Sequence, residues 1–262
     1  TAAMKTKSTA NKISKFLRNS WPPLLMLVLI IALWEAIVYF FNIPYVVIPA
    51  PHLIVAETAK YFKSELLQHW LATVKIIAIG YLSGVPFGIL LASLISQSKL
   101  AIRAFSPLIT VLVTLPTMVV IPIYMVWVGF DINYRAIPVF MNVASIVTLN
   151  TLSGFINVEQ RLLDLAEGYG ASRFQRFFKY IFPNALPEIF MGLRLGCTFS
   201  ILNVIGIEFI TGKIGMGFAV QYFSGLLKMP IVWGCILIVG ITGRCMFLIV
   251  QLLEKKFVTW TR

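Results

Sequence analysis

Ionisable side chains inside long apolar stretches are the first candidates for chemistry, because a charge there is costly and usually faces a cavity or a partner. Glu208 follows Arg194 by 14 residues in one apolar run, about 21 Å along a helix, so the two cannot pair locally. Arg194 and Arg244 are predicted to snorkel toward the inner headgroups. Glu35 stays open. Glu208 is therefore the leading candidate for a solute path or a gate.

Uncharged polar side chains recur at helical spacing in two further apolar segments. The two sets are Thr110, Thr114 and Thr117, and Asn142, Ser145 and Thr148. Each set gives its helix one hydrogen-bonding face. Such a face can line a translocation path or bind a neighbouring helix, and the sequence leaves both interpretations open.

Motifs for catalysis and metal binding are missing from the sequence. It contains no GxxxxGK[ST] phosphate loop, no HExxH and no GxSxG. Cys197, Cys235 and Cys245 lie in apolar stretches without the spacing of a metal site or a disulfide framework. We therefore expect a chain that is not an enzyme and that holds neither metal nor cofactor.

Composition places the protein in a membrane. Of its 262 residues, 59% are hydrophobic and 12% are charged, against about 25% charged in soluble domains. A transmembrane helix needs about 20 apolar residues, which predicts an all-α membrane protein with six spans. The predicted spans are 22–42, 70–95, 102–128, 134–156, 184–211 and 230–253. The first is too long for a signal-peptide core and is expected to stay uncleaved.

The basic residues set the expected orientation. The net charge of +12 would suggest a nucleic-acid partner for a soluble protein; in a membrane protein it is a topology signal, and no nucleic acid is expected. Fourteen Lys and Arg residues fall in the tails and the loops after spans two and four, against five in the alternate loops. The positive-inside rule places both termini in the cytoplasm. This divides the chain into a tail (1–21), a membrane-spanning domain (22–253) and a second tail (254–262).

Small residues every fourth position predict close helix contacts in two spans. They are Gly80, Gly84, Gly88 and Ala92 in span two, and Gly192, Gly196 and Ser200 in span five.

The cytoplasmic loop 157–183 is amphipathic and rich in charge. Helical patterns run from Leu162 to Tyr169 and from Phe174 to Ile181, and Gly170 separates them. This predicts two short helices joined at a glycine. A helix across the inner face of the membrane, fixed to span five by Pro183, can transmit a push from a partner. A loop lying on anionic lipid is the alternative.

This loop resembles the signature of the inner-membrane permeases of binding-protein-dependent ABC importers. In that family Glu-Ala-Ala is followed at fixed spacing by Gly, Ile and Leu-Pro. The matching positions read Asp164-Leu165-Ala166, Gly170, Tyr180 and Phe182-Pro183, so the spacing is kept while several identities differ. Further matches resemble the nitrate, sulfonate and taurine branch: Trp34-Glu35, Ile48 to Pro51, Leu115-Pro116, Gly192-Leu193-Arg194 and Gly215-Met216-Gly217.

The resemblance implies a type I importer permease of the bacterial inner membrane. It implies a homodimer, two cytoplasmic ATPase subunits that bind ATP and magnesium, an extracytoplasmic solute-binding protein and contact with membrane lipid. The solute would be a small anion such as a sulfonate, taurine or nitrate, although related permeases serve pyrimidine precursors. The ATPase-coupling residues would be Asp164, Ala166, Glu167, Gly170, Ala171, Ser172 and Pro183. An apolar face of Leu163, Ala166, Tyr169 and Phe174 is expected to dock on the ATPase, with a polar rim formed by Arg161, Glu167 and Arg173. The alternatives are an ion-coupled secondary carrier or channel, and a structural scaffold.

Overall fold

A computed structural model describes residues 2–128 and 135–259, with side chains described for 21–116, 119–127, 135–210 and 212–259. All regular structure in these residues is helical. The helices are α1 (Ala2–Phe40), α2 (Pro51–Tyr61), α3 (Leu67–Ile95), α4 (Lys99–Thr114), α5 (Thr117–Val128), α6 (Ala136–Ile156), α7 (Gln160–Gly168), α8 (Arg173–Arg176), α9 (Phe182–Asn184), α10 (Leu186–Thr211), α11 (Met216–Gly225) and α12 (Met229–Phe257).

Five of these helical runs in the described residues are long and apolar enough to cross a membrane. They are Trp21–Phe40, Pro51–Ile95, Ala136–Ile156, Leu186–Ile210 and Met229–Phe257. The pair formed by α4 and α5 makes a sixth when it is taken as one broken span. The predicted all-α fold with six spans is confirmed in this sense.

The third predicted span, 102–128, consists of two helices. The segments Lys99–Thr114 and Val119–Trp127 meet at 101°, and the break falls at Leu115 and Pro116. Leu115 is extended, with φ −61° and ψ 123°, because the ring of a following proline disfavours the helical conformation. Pro122 lies inside α5 without ending it.

The second predicted span, 70–95, corresponds to α3, which continues from α2. A π-helical turn, Phe62–Leu66, joins α2 to α3, so Pro51–Ile95 is one run of 45 residues. At about 1.5 Å per residue this is roughly twice the thickness of the hydrocarbon core. The α2 part packs on α12, where Gly234 leaves room for the side chain of Thr58.

Helix α6 is the centre of the bundle and packs between α3 and α10. A Cβ atom at Gly80 would lie 2.7 Å from the Val139 side chain, and one at Gly88 would lie 2.7 Å from the Ala144 carbonyl oxygen. A Cβ at Gly192 would lie 3.0 Å from Asn150. The small-residue stripes therefore do bring backbones together, as predicted.

Arg194 has an acidic partner on another helix. Its guanidinium binds the carboxylate of Glu254, which joins α10 to the end of α12. The sequence did not predict this ion pair, because the acidic partner is 60 residues away in sequence and becomes a neighbour only through helix packing.

Candidate functional site

The loop between α6 and α10 begins with a helix that ends at a left-handed glycine. Gly170 has φ +70°, which costs a residue with a side chain more than it costs glycine. The Ala171 N–H donates to the Ala166 carbonyl at 3.0 Å, and the Gly170 N–H donates to the Glu167 carbonyl at 2.9 Å. This pair of bonds is a Schellman motif, and it closes α7.

The next helix, α8, starts at Arg173, and Ser172 is its N-cap residue. The hydroxyl of Ser172 accepts a hydrogen bond from the Gln175 N–H at 3.3 Å, and the Gln175 side chain accepts one from the Ser172 N–H at 2.9 Å. This reciprocal capping box satisfies two N–H groups at the helix start. The two predicted helices and the glycine between them are thus present, built from bonds within a dozen residues.

Aromatic side chains hold this loop against the bundle. Phe177 lies on a π-helical turn (Phe177–Ile181), and its ring centroid lies 5.2 Å from that of Phe155 on α6. Ile181 and Phe182 pack on the same cluster as Ala92 of α3. Pro183 follows inside α9, immediately before α10 begins. The loop is therefore packed on α6 and leads directly into α10.

The outward face of the loop is apolar but differs from the predicted set. Tyr169 is 83% exposed and Phe174 is 71% exposed, and the Phe174 ring lies 4.4 Å from that of Phe178. Ala166 is fully buried, so it cannot dock on a partner. The Ala166 carbonyl accepts the hydrogen bond from the Ala171 N–H that closes the end of α7.

Asp164 and Glu167 are exposed on α7. Asp164 accepts a hydrogen bond from the Gln160 side chain at 2.8 Å, which leaves its second oxygen toward solvent. These carboxylates lie on α7, which ends one residue before Tyr169, and they place exposed charge close in sequence to the outward face.

Glu208 lies in a second, buried site at the start of α11. It is 0% exposed. Its carboxylate accepts hydrogen bonds from the Thr73 hydroxyl at 2.8 Å and from the Gly217 N–H at 2.8 Å. The Met216 N–H donates to the Thr73 hydroxyl at 2.8 Å, and the Gly215 N–H donates to Nδ1 of His69 at 3.2 Å. Three consecutive N–H groups at a helix start, which have no partners within the helix, are all satisfied by side chains.

We call residues 212–217 the α11 turn. A Cβ at Gly215, where φ is +126°, would collide with the Glu208 carboxylate. Arg135 approaches the turn from the start of α6 and donates to the Ile214 carbonyl at 3.1 Å. The turn is thus held from α3, α6 and α10 together, and the gate role predicted for Glu208 stays a prediction.

His69, Thr73 and Arg135 are site residues that sequence reasoning missed. Thr73 and His69 precede the glycine stripe of span two and carry no spacing signal toward Glu208, which lies 135 residues beyond Thr73. Only the packing of α3 on α10 brings them together.

Glu35 has a defined partner. Its carboxylate accepts a hydrogen bond from the His52 N–H at 3.3 Å and contacts Nδ1 of His52 at 2.5 Å. His52 stands at the start of α2, where a carboxylate is favourable. Glu35 therefore ties α1 to α2.

The two polar stripes lie in different surroundings. Thr110 and Thr114 are exposed on α4 and donate to carbonyls of their own helix. The side chain of Thr117 lies outside the described residues. Asn142 and Ser145 line a cavity of about 50 Å³ between α4, α5 and α6. Thr148 instead donates to the Gly88 carbonyl at 3.1 Å, which is an interhelical contact.

Comparison with known proteins gives the family. Residues 84–259 match the model of the binding-protein-dependent transport system inner membrane component, a range that includes the exposed loop and the α11 turn. The chain belongs to this family. It is a multi-pass inner-membrane permease of an ABC importer, and membership favours this function over an ion-coupled carrier or channel.

Three relatives cover most of the permease. A putative aliphatic sulfonates permease from Bacillus subtilis is 28% identical, over 90% of this chain and 86% of the relative. A formylaminopyrimidine permease from Halalkalibacterium halodurans is 26% identical, over 92% and 96%. A nitrate import permease from Synechocystis is 30% identical, over 70% and 66%.

A solved structure supports the fold. A chain of a bacterial ABC transporter involved in the import of alginate superposes with a TM-score of 0.61 at 16% identity. The match covers 94% of this permease and 99% of that chain, so the whole helical arrangement is shared.

Proposed function

We propose that the permease forms the solute path of an ATP-driven importer as a pair of identical subunits. Two cytoplasmic ATPase subunits bind ATP and magnesium and dock on the loop between α6 and α10, and an extracytoplasmic binding protein delivers the solute. One observation carries this assembly: the exposed Tyr169 and Phe174 face belongs to a loop that is packed on α6 at its other face. An apolar patch with a polar rim is typical of a protein interface.

The test is uptake by proteoliposomes that contain this chain, its ATPase and its binding protein. Uptake should require ATP, the binding protein and the permease, and it should persist after ionophores remove ion gradients. Uptake that runs on an ion gradient without ATP would instead show a secondary carrier. Binding of the partners without any uptake would show a scaffold.

We propose a small anion, such as a sulfonate, taurine or nitrate, as the solute. The names of the sulfonate and nitrate relatives support this choice, and the formylaminopyrimidine relative supports a neutral heterocycle instead. A competition series with an alkanesulfonate, taurine, nitrate and a formylaminopyrimidine separates the two. Strong competition by the pyrimidine alone would overturn the proposal that the solute is an anion.

We propose that both termini and the loop 157–183 face the cytoplasm, because basic residues concentrate in these segments. The described native cysteines are Cys197 and Cys235, which are buried, and Cys245, which is exposed. In a Cys245→Ser background, Lys5→Cys and Arg262→Cys should resist an impermeant thiol reagent in intact cells, whereas Lys60→Cys should react. The opposite pattern would invert the orientation.

A further inference from the structure

A basic cavity lies where the loop meets the bundle, apart from the outward face already described. Its volume is about 310 Å³. Arg173, Arg176, Ser96 and Gln97 form its polar wall, and Phe155, Phe177 and Ile181 form its apolar wall. No carboxylate is among these lining residues.

The two arginines have a charge that the described part of the chain does not neutralise. The ion pairs among described residues join Glu35 to His52, Glu159 to Arg161, and Arg194 to Glu254. Arg173 and Arg176 take part in none of them. Two guanidinium groups that share a cavity repel each other, and an anion between them removes this cost.

The depth of the cavity points to the source of the anion. Ser96 and Gln97 directly follow the end of α3 at Ile95, and Phe155 is next to the end of α6 at Ile156. The cavity therefore lies at the ends of two spans, and in the proposed orientation these ends meet the headgroups of the inner leaflet. Basic pockets between transmembrane helices on the cytoplasmic side bind anionic headgroups, and guanidinium groups match phosphate oxygens in a bidentate geometry.

We propose that this cavity binds the phosphate of an anionic phospholipid from the inner leaflet. The phosphate lies between Arg173 and Arg176, the Ser96 and Gln97 side chains contact the headgroup, and the glycerol lies against Phe155 and Phe177. The lipid ties the α8 segment of the loop to the turn between α3 and α4. The bound lipid thereby stiffens the segment that transmits movement to α10.

The test measures lipid retention by the purified full chain in detergent, by native mass spectrometry. Phosphatidylglycerol should bind more tightly than phosphatidylcholine with the same acyl chains. The double variant Arg173→Gln/Arg176→Gln should bind phosphatidylglycerol about thirtyfold more weakly, given about 1 kcal/mol per basic residue near a membrane surface. Lys179→Gln, which removes one charge from the same segment outside the cavity, should bind as the wild type does.

Two further measurements keep the result decisive. Arg176→Lys retains the charge without the planar donor fork, so it should weaken binding by a few-fold only, and it serves if the double variant is not monodisperse in gel filtration. Inorganic phosphate at millimolar concentration should not displace the lipid. Equal retention of the two lipids, wild-type retention by the double variant, or displacement by inorganic phosphate would each overturn the proposal. Lipid binding is measured without ATPase, binding protein or solute, so its failure is separate from a failure of the importer function.

Discussion

The loop of the permease and the α11 turn are both short connections between helices, yet they are built in opposite ways. Gly170 and Ser172 form the loop through bonds to residues no more than five positions away. Thr73 holds the α11 turn through a bond to Met216 across 143 positions, and it binds Glu208 across 135 positions. The loop keeps its apolar face exposed, whereas Gly215, Met216 and Gly217 of the turn are buried in the bundle.

The loop and the α11 turn therefore owe their rigidity to different kinds of hydrogen bond. Local caps define the shape of the loop while leaving its surface free, which suits a segment that must bind a separate subunit. Long-range bonds make the α11 turn depend on the arrangement of three helices. Any rearrangement of α3 against α10 must either carry the turn along or break its hydrogen bonds.

The largest effect is expected at Gly215. A Gly215→Ala change places a Cβ against the Glu208 carboxylate and forces a side chain into φ +126°, at a combined cost of roughly 3 kcal/mol or more. The yield of monodisperse protein and its melting temperature should fall sharply. In the control Gly225→Ala, the new Cβ meets nothing within 4 Å, and the protein should behave as the wild type does. Equal stability of the two variants would show that the turn is not locked.

The next effect is expected at Glu208. In Glu208→Gln one oxygen acceptor becomes an NH₂ donor, so a buried N–H or hydroxyl loses its acceptor at a cost of about 1–3 kcal/mol. We expect the ratio of ATP hydrolysed to solute moved to rise, without a change in which solutes compete. Reconstituted complex measured with both assays tests this. An altered competition profile with unchanged coupling would place Glu208 in the solute site instead.

Thr73 provides the matched pair for this experiment. Thr73→Val removes the hydroxyl that bridges Glu208 and the Met216 N–H and should reproduce the coupling defect, whereas Thr73→Ser keeps the hydroxyl and should be close to wild type. A double variant Glu208→Gln/Thr73→Val should lose less than the sum of the two, because both changes break one network.

A change at Gly170 is expected to alter stability least. Its effect on transport is expected to be large. A Cβ there meets nothing within 4 Å, so Gly170→Val pays only for the left-handed conformation, about 1–2 kcal/mol. The six spans should still insert, while ATPase association and uptake are lost. Gly168→Val is the control, since its Cβ also meets nothing and its φ is not positive. Normal uptake by Gly170→Val would separate the turn from coupling.

The sequence by itself determined the features that depend on local physics. Apolar length predicted the spans, although not that the third separates into two helices at Pro116. Gly170 and the flanking periodicity predicted the helical loop, because a Schellman motif and a capping box need only neighbouring residues. The spacing from Asp164 to Pro183 resembled the family that residues 84–259 then matched.

Only the tertiary structure decided which side chains meet. The partner of Arg194 proved to be Glu254, the partner of Glu35 proved to be His52, and the stripe of Asn142, Ser145 and Thr148 divided between a cavity and a helix contact. The physical reason is that an apolar run in the sequence shows that a segment is buried but does not show which helix lies next to it. A buried polar group must find a hydrogen-bond partner, and in a bundle that partner comes from whichever helix packs against it.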